Sequence, residues 1–275
     1  MKLRRLLFAT AMSSVLAPAA FANPIASGFD TSSVPVCDDC YTGAVSLGFS
    51  ANFFGTTYTD TYVSNNGYVT FNSGQGFYTP TGLSASYNGQ PIIAPFYADV
   101  DTRGIGTTTY GTGTYAGFSA FGVTWNNVGY YGAHTDKTDT FQVILVDRSD
   151  TGAGNFDIYY NYGSIQWETG DASGGSDGLG GVSAAVGYAT GTGAAGTYDE
   201  LPGSLVPGSF IDGGPYALNV GTNDGVPGQY LFEVRNGIVT PPPSTSVPEP
   251  ATLALLSAGV AGIGVFRKRG RRGAR

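Results

Sequence analysis

Histidine is all but missing from this chain of 275 residues, where His134 stands alone. Any catalytic or metal site that needs two imidazoles is therefore excluded. Cysteine is almost as scarce: Cys37 and Cys40 cannot supply a four-thiolate zinc site, an iron–sulfur cluster or a multi-bridge scaffold. Charged residues make up 12% of the chain, about half the usual share, and positive charge is almost confined to the ends. Lys2, Arg4 and Arg5 open the sequence, and Arg267, Lys268, Arg269, Arg271, Arg272 and Arg275 close it, leaving only Arg103, Lys137, Arg148 and Arg235 between them. Nineteen acidic residues oppose those four, so a body at −15 lies behind a formal net charge of −7. Such a body offers no electrostatic footprint to nucleic acid and is repelled by anionic lipid, which leaves membrane contact to the ends. A convincing helix-period stretch of ten or more residues is also missing between the ends. Low charge with 41% hydrophobic and 13% aromatic residues argues against disorder and against a long-helix protein.

Both ends read as addresses. At the start, Met1-Lys2-Leu3-Arg4-Arg5 precedes a short apolar run from Leu6 to Leu16, then Pro18 and Ala20-Phe21-Ala22. This is the pattern of a secretory signal peptide over 1–22, with cleavage between Ala22 and Asn23 directed by Ala20 and Ala22. The run is too short for an anchor. Arg4-Arg5 raises the twin-arginine route, but the flanking residues fit it poorly, and the expected partners are the Sec translocon and signal peptidase. At the other end a Pro/Ser/Thr linker, 237–246, leads to Val247, Pro248, Glu249 and Pro250. A 16-residue apolar stretch, 251–266, follows, and then the basic tail of Arg267, Lys268, Arg269, Arg271 and Arg272 within 267–275. At about 1.5 Å per residue the stretch reaches only about 24 Å, short for a permanent transmembrane helix. The tail would stay cytoplasmic. Pro-Glu-Pro, apolar helix and arginine cluster in this order resemble the PEP-CTERM sorting signal of Gram-negative bacteria, also called the ice-binding protein C-terminal domain, here over 247–272. The resemblance implies recognition and removal of the tail by an exosortase, with Glu249 part of a recognition element and not a general acid.

Between the addresses, period-two patterns point to an all-β, β-sandwich-like domain with Gly-rich loops, which the signal peptide would make extracellular. Val45, Leu47, Phe49 and Phe53 alternate with smaller or polar residues, as do Phe121, Val123 and Trp125, and Phe141, Val143 and Leu145 with Ile144 and Val146 opposite. Asn65-Asn66-Gly67 joins 61–63 to 68–71 as the clearest hairpin, since Asn-Gly accepts the positive φ of a tight turn. Further strands are expected over 91–96, 157–162, 183–188 and 229–234. Ile92-Ile93-Ala94-Pro95-Phe96-Tyr97-Ala98-Asp99-Val100-Asp101-Thr102-Arg103 resembles the signature of the nidogen-like extracellular (NIDO) domain, although that family usually has Trp at the position of Tyr97. Phe141 to Val146, Phe156 to Tyr162, Ile165 to Gly170, Ala185 to Tyr188, Leu201 to Ser204 and Pro227 to Val234 follow in the family's order. The resemblance implies one NIDO-like domain over 41–236, after an approach segment over 23–40, and a role in cell-matrix adhesion with no catalytic residue to carry over.

Asp99, Asp101 and Arg103 form the most pointed polar cluster, because i, i+2 and i+4 share one face of a strand. A structural pair between Arg103 and Asp101 is the favoured reading. A Ca²⁺ site using Asp99 or Asp101 with loop carbonyls is the alternative, although a hard cation wants more oxygens than one short motif supplies. A glycosidase pair would also need a raised pKa and a sugar cleft, and neither is visible. Cys37-Asp38-Asp39-Cys40 lacks the strand-to-helix setting of a redox motif, so a local disulfide is expected, one that stabilises little by chain entropy. The Gly-rich run 170–181 lacks the Lys-Ser/Thr of a phosphate loop and reads as a long solvated loop. Thr107 to Thr109 and Thr112 to Thr114 do not repeat as an ice-binding ladder would. Tyr110, Tyr115, Tyr130 and Tyr131 are candidate ligand contacts, whereas Trp125 and Trp167 read as core. No cofactor is expected beyond Ca²⁺.

Together these readings describe an exported, non-enzymatic adhesion or matrix protein. It would be held first in the inner membrane by its C-terminal helix, then at the cell envelope surface or outside the cell in a biofilm or floc. Its partners would be an extracellular polysaccharide or a matrix protein. A lectin that recognises exopolysaccharide is the alternative.

Overall fold

A computed structural model describes residues 24–83 and 89–240. The signal region and the sorting tail, 247–272, fall outside the described residues. Fourteen strands follow one another within them. First come β1 (Ser32–Ser33), β2 (Val45–Phe53), β3 (Thr56–Ser64), β4 (Tyr68–Thr70), β5 (Ile92–Tyr97), β6 (Val100–Asp101) and β7 (Thr107–Tyr115). Then come β8 (Phe118–Tyr130), β9 (Asp139–Asp147), β10 (Phe156–Tyr162), β11 (Ala185–Ala189), β12 (Tyr198–Glu200), β13 (Gln229–Arg235) and β14 (Ile238–Thr240). One turn of 3₁₀ helix, Asp171–Ser173, is the only helical element among the described residues. The strands form two antiparallel sheets, ordered β1-β7-β8-β9-β10-β13-β14 with β6 beside β8, and β12-β11-β5-β4-β3-β2.

Alternation explains how the sheets meet. Phe121, Val123 and Trp125 of β8 and Phe141, Val143 and Leu145 of β9 face Val63, Val69, Ile93 and Phe96 of the other sheet in one apolar cluster. Aromatic rings cross the gap: Phe96 lies 5.1 Å from Phe141, and Tyr188 lies 5.5 Å edge-on from Phe232. Burying rings of this size is worth about 1.5–3 kcal/mol each. Two hydroxyls also tie the sheets, since Tyr160 of β10 donates to Gly187 O at 2.6 Å and Tyr162 to Pro95 O at 2.7 Å. The opposite face of β9 would be wet in a bare sandwich. Phe29 covers it instead, packing with Ala120, Ile144 and Val146.

Two expected boundaries move as a result. Residues 24–40 are built into the domain through Phe29 and through β1, which pairs with β7. At the far side β14 pairs with β13, so the folded domain runs to Thr240 and takes the first residues of the expected linker with it. The Gly-rich run is also not simply solvated. Gly178 O accepts the amides of Glu168 and Thr169, and Gly178 lies so close that a Cβ there would stand 2.7 Å from Cβ of Trp167.

Candidate functional site

At one end of the sandwich, three segments distant in sequence converge on a group of carboxylates. The first is the loop closed by the Cys37–Cys40 disulfide. Thr102, just after β6, holds it from one side: its Oγ1 accepts the Cys37 amide at 3.0 Å and donates to Cys37 O at 2.9 Å. The β3–β4 turn holds it from the other. Asn65 and Asn66 are fully buried in that turn. Asn65 Nδ2 donates to Asp38 O at 2.6 Å and to Val100 O at 2.7 Å, and Asn66 Nδ2 donates to Asp39 Oδ1 at 2.9 Å. Gly67 closes the turn at φ 80°, where a Cβ would collide with the carbonyl oxygen of Phe96.

The second segment is the short connection from β5 to β6, which carries Asp99. This side chain is 1% exposed, and neither of its carboxylate oxygens has a hydrogen-bond partner. Oδ1 of Asp38 is buried and unpartnered in the same way. One oxygen from each of Asp38, Asp39 and Asp99 falls within 4.8 Å of the others. Burial pushes the Asp99 carboxyl up to about 8, helped by the charges of Asp38, Asp39, Asp101 and Asp171. Burial and the neighbouring Asp39 and Asp101 likewise push Asp38 up to about 6, against the opposing pull of Arg103.

Asp101 lies two residues away but in a different electrostatic setting. Its Oδ1 accepts Arg103 N and Nε, both at 2.9 Å, and its Oδ2 accepts Arg103 Nη2 at 2.7 Å and Ala133 N at 2.9 Å. Burial alone would raise this carboxyl, but those donors outweigh it and hold the group below the usual range. Arg103 Nη2 also reaches Asp38 Oδ2 at 3.1 Å, while its guanidinium lies 5.8 Å from the Tyr131 ring centre. Of the two aspartates singled out as cation candidates, Asp101 is therefore satisfied by protein donors and Asp99 is not. Asp38 and Asp39 were not foreseen as companions of Asp99. Two acids inside a Cys-x-x-Cys loop were the only signal, and some sixty residues separate them from Asp99 in the chain.

The third segment is the turn after Glu168. Gly170 approaches so closely that a Cβ would sit 2.5 Å from Asp99 Oδ2. Glu168, fully buried, fixes the base of this turn by accepting Ser183 Oγ at 2.9 Å and the amides of Gly208 and Phe210. His134 stacks on Tyr130 with ring centres 4.4 Å apart, and its Nε2 lies 2.9 Å from Asp171 Oδ2 on the rim.

The candidate aromatic contacts are dispersed. Tyr130 is buried, with its hydroxyl donating to Asp136 at 3.1 Å, so its ring is not on the surface. Tyr115 packs on Tyr159 and accepts Gln229 Nε2 through its hydroxyl at 2.9 Å. Tyr110 leans on Phe121, and Tyr131 is half-buried beside Arg103. Trp125 and Trp167 are wholly buried, with indole N–H groups donating to Asn65 O and Val128 O.

Two antiparallel sheets around an aromatic core, with one disulfide closing an acidic loop, define an all-β sandwich module. Residues 59–118 and 111–236 match the nidogen-like domain family. The chain belongs to that family. Residues 246–270 match the PEP-CTERM protein-sorting motif. Human alpha-tectorin is 33% identical over 231 residues, covering 75% of this chain and 10% of the relative. Drosophila melanogaster nidogen is 29% identical over 233 residues, covering 74% of this chain and 16% of the relative. The chain thus spans a small part of the curated relatives it matches. No solved structure matches it.

Proposed function

We propose that this chain is an exported, non-enzymatic adhesion or matrix protein, sorted by its PEP-CTERM segment to the cell envelope or beyond. One observation carries the reading: a nidogen-like sandwich and a protein-sorting motif occur in the same chain. Signal peptidase would act at Ala22–Asn23 after passage through the Sec translocon, and an exosortase would act on Val247 to Pro250. Contact with extracellular polysaccharide or matrix protein would fall to exposed loop residues and sheet edges. Val206 and Tyr216 in the long loop before β13 and Ile238 on the edge strand β14 are each more than half exposed. Divalent cations would bridge the acidic surface to other polyanions.

Deletion of the gene in the native host tests this reading. Flocs and biofilm should be depleted, and the wild-type allele should restore them. Growth and aggregation indistinguishable from wild type across several media would overturn the adhesion role. Saturable binding of one defined glycan by the purified protein would replace it with the lectin reading.

A further inference from the structure

We propose that Asp38, Asp39 and Asp99 bind one calcium ion, which clamps the disulfide-closed loop onto the β5–β6 connection. The inference stands apart from the adhesion reading and survives its failure. The geometry begins with convergence: one oxygen from each carboxylate lies within 4.8 Å of the other two. Proximity alone would be weak support, but Asp99 adds to it. That side chain is 1% exposed and aimed into the cluster, and both of its oxygens lack a protein donor. A buried carboxylate without donors is costly. The same fold avoids that cost elsewhere, giving Asp101 four hydrogen bonds and Glu168 three.

Charge and donor type narrow the ligand. Arg103 is the basic side chain beside the cluster, and it pairs with Asp38 and Asp101. Three carboxylates against one guanidinium that Asp101 also shares leave at least two negative charges uncompensated when all three are ionised, which suits a divalent cation. Both sulfurs are locked in the disulfide, and His134 faces Asp171, so the donors are all oxygen and the cation is a hard one. With Asp38 Oδ2 engaged by Arg103 and Asp39 Oδ1 by Asn66, four carboxylate oxygens remain: both of Asp99, Oδ1 of Asp38 and Oδ2 of Asp39. Calcium takes 6–8 oxygens in a flexible shell, whereas magnesium demands near-ideal octahedral geometry, so an irregular set completed by water favours calcium. The Asp38 side chain is 18% exposed and gives the ion a way in. An incomplete protein shell places the affinity at about 10⁻⁴–10⁻³ M, the range of extracellular modules.

Calorimetric titration of the purified full-length protein with CaCl₂ after EDTA stripping, alongside thermal melts, tests the site. One saturable equivalent is expected per chain, with a melting temperature that rises in calcium, falls back with EGTA and responds much less to magnesium. Asp99→Asn should abolish both responses, and without calcium it should melt no lower than wild type, because the amide is close in size and gives up no hydrogen bond that Asp99 makes. Absence of saturable binding up to about 10 mM calcium, or unchanged binding by Asp99→Asn, overturns the proposal. Should that variant not fold, terbium decides on the wild type: tyrosine-sensitised emission from one bound terbium per chain that millimolar calcium displaces supports the site, and emission that calcium up to about 10 mM does not displace refutes it.

Discussion

Asp139 begins β9 completely enclosed, with Oδ1 accepting the amides of Gln166 at 2.6 Å and Trp167 at 3.2 Å and Oδ2 unpartnered. Burial raises this carboxyl well above its ordinary value, the two amides pull it down, and the charges of Asp212 and Glu168 raise it further. A carboxyl raised in the folded state contributes its full stability below the unfolded value of about 4, and loses it as pH climbs towards the folded value. Wild type should therefore lose stability with rising pH across that window. Asp139→Asn, which copies the protonated acid, should flatten the loss and match or exceed wild type at pH 8. Urea denaturation of both proteins at pH 5 and pH 8 checks this, and a variant weaker by the same margin at both would show an ionised Asp139. Single residues were legible in the sequence where chemistry is local. The Arg103–Asp101 pair follows from i, i+2 spacing, and Cys37–Cys40 from its short loop. Asp99 was legible only as a candidate, because the acids that surround it come from a loop that the fold, not the spacing, brings near.

At the level of elements, strands with large alternating side chains were readable. β9, β10 and β13 coincide closely with the periodic stretches at Phe141, Asp157 and Gln229, and β8 contains the one at Phe121 to Trp125 but runs well past it at both ends. β7 was not, because Thr and Gly through 107–115 carry little hydrophobic period, and the strand is fixed by nine paired positions on β8. The Asn65-Asn66-Gly67 turn was placed correctly, but its burial was hidden. The asparagines that permit a turn also serve as donors to the acidic loop, a use that composition does not show. Side-chain ties between the sheets were equally hidden, and Tyr162 makes one testable. Tyr162→Phe leaves Pro95 O without its 2.7 Å donor in a dry interior, which should cost about 1–2 kcal/mol of unfolding free energy. Tyr159→Phe on the opposite face of β10 should cost less than about 0.5 kcal/mol. Equal losses by denaturant titration would remove the sheet-to-sheet bond from the account.

Over the whole molecule, positive charge is distributed with strict economy. Each of the four basic residues of the body serves two acids: Arg103 serves Asp38 and Asp101, Lys137 serves Asp136 and Asp177, Arg148 serves Asp150 and Asp157, and Arg235 serves Asp157 and Glu233. Every member of these pairs lies between Asp38 and Arg235, so losing both addresses would remove none of them while shifting the formal charge from −7 to near −15. Processing can therefore be read from charge as well as mass. Protein recovered from the envelope or medium should elute later on anion exchange than the full-length chain, and intact mass should place its ends at Asn23 and close to Pro250. An exosortase-deficient host should yield the N-terminally trimmed form only, retaining Arg275 and eluting earlier. If wild-type cells also retain Arg275, the sorting motif is not being cut and the C-terminal segment acts as a plain anchor, whatever the domain outside it binds.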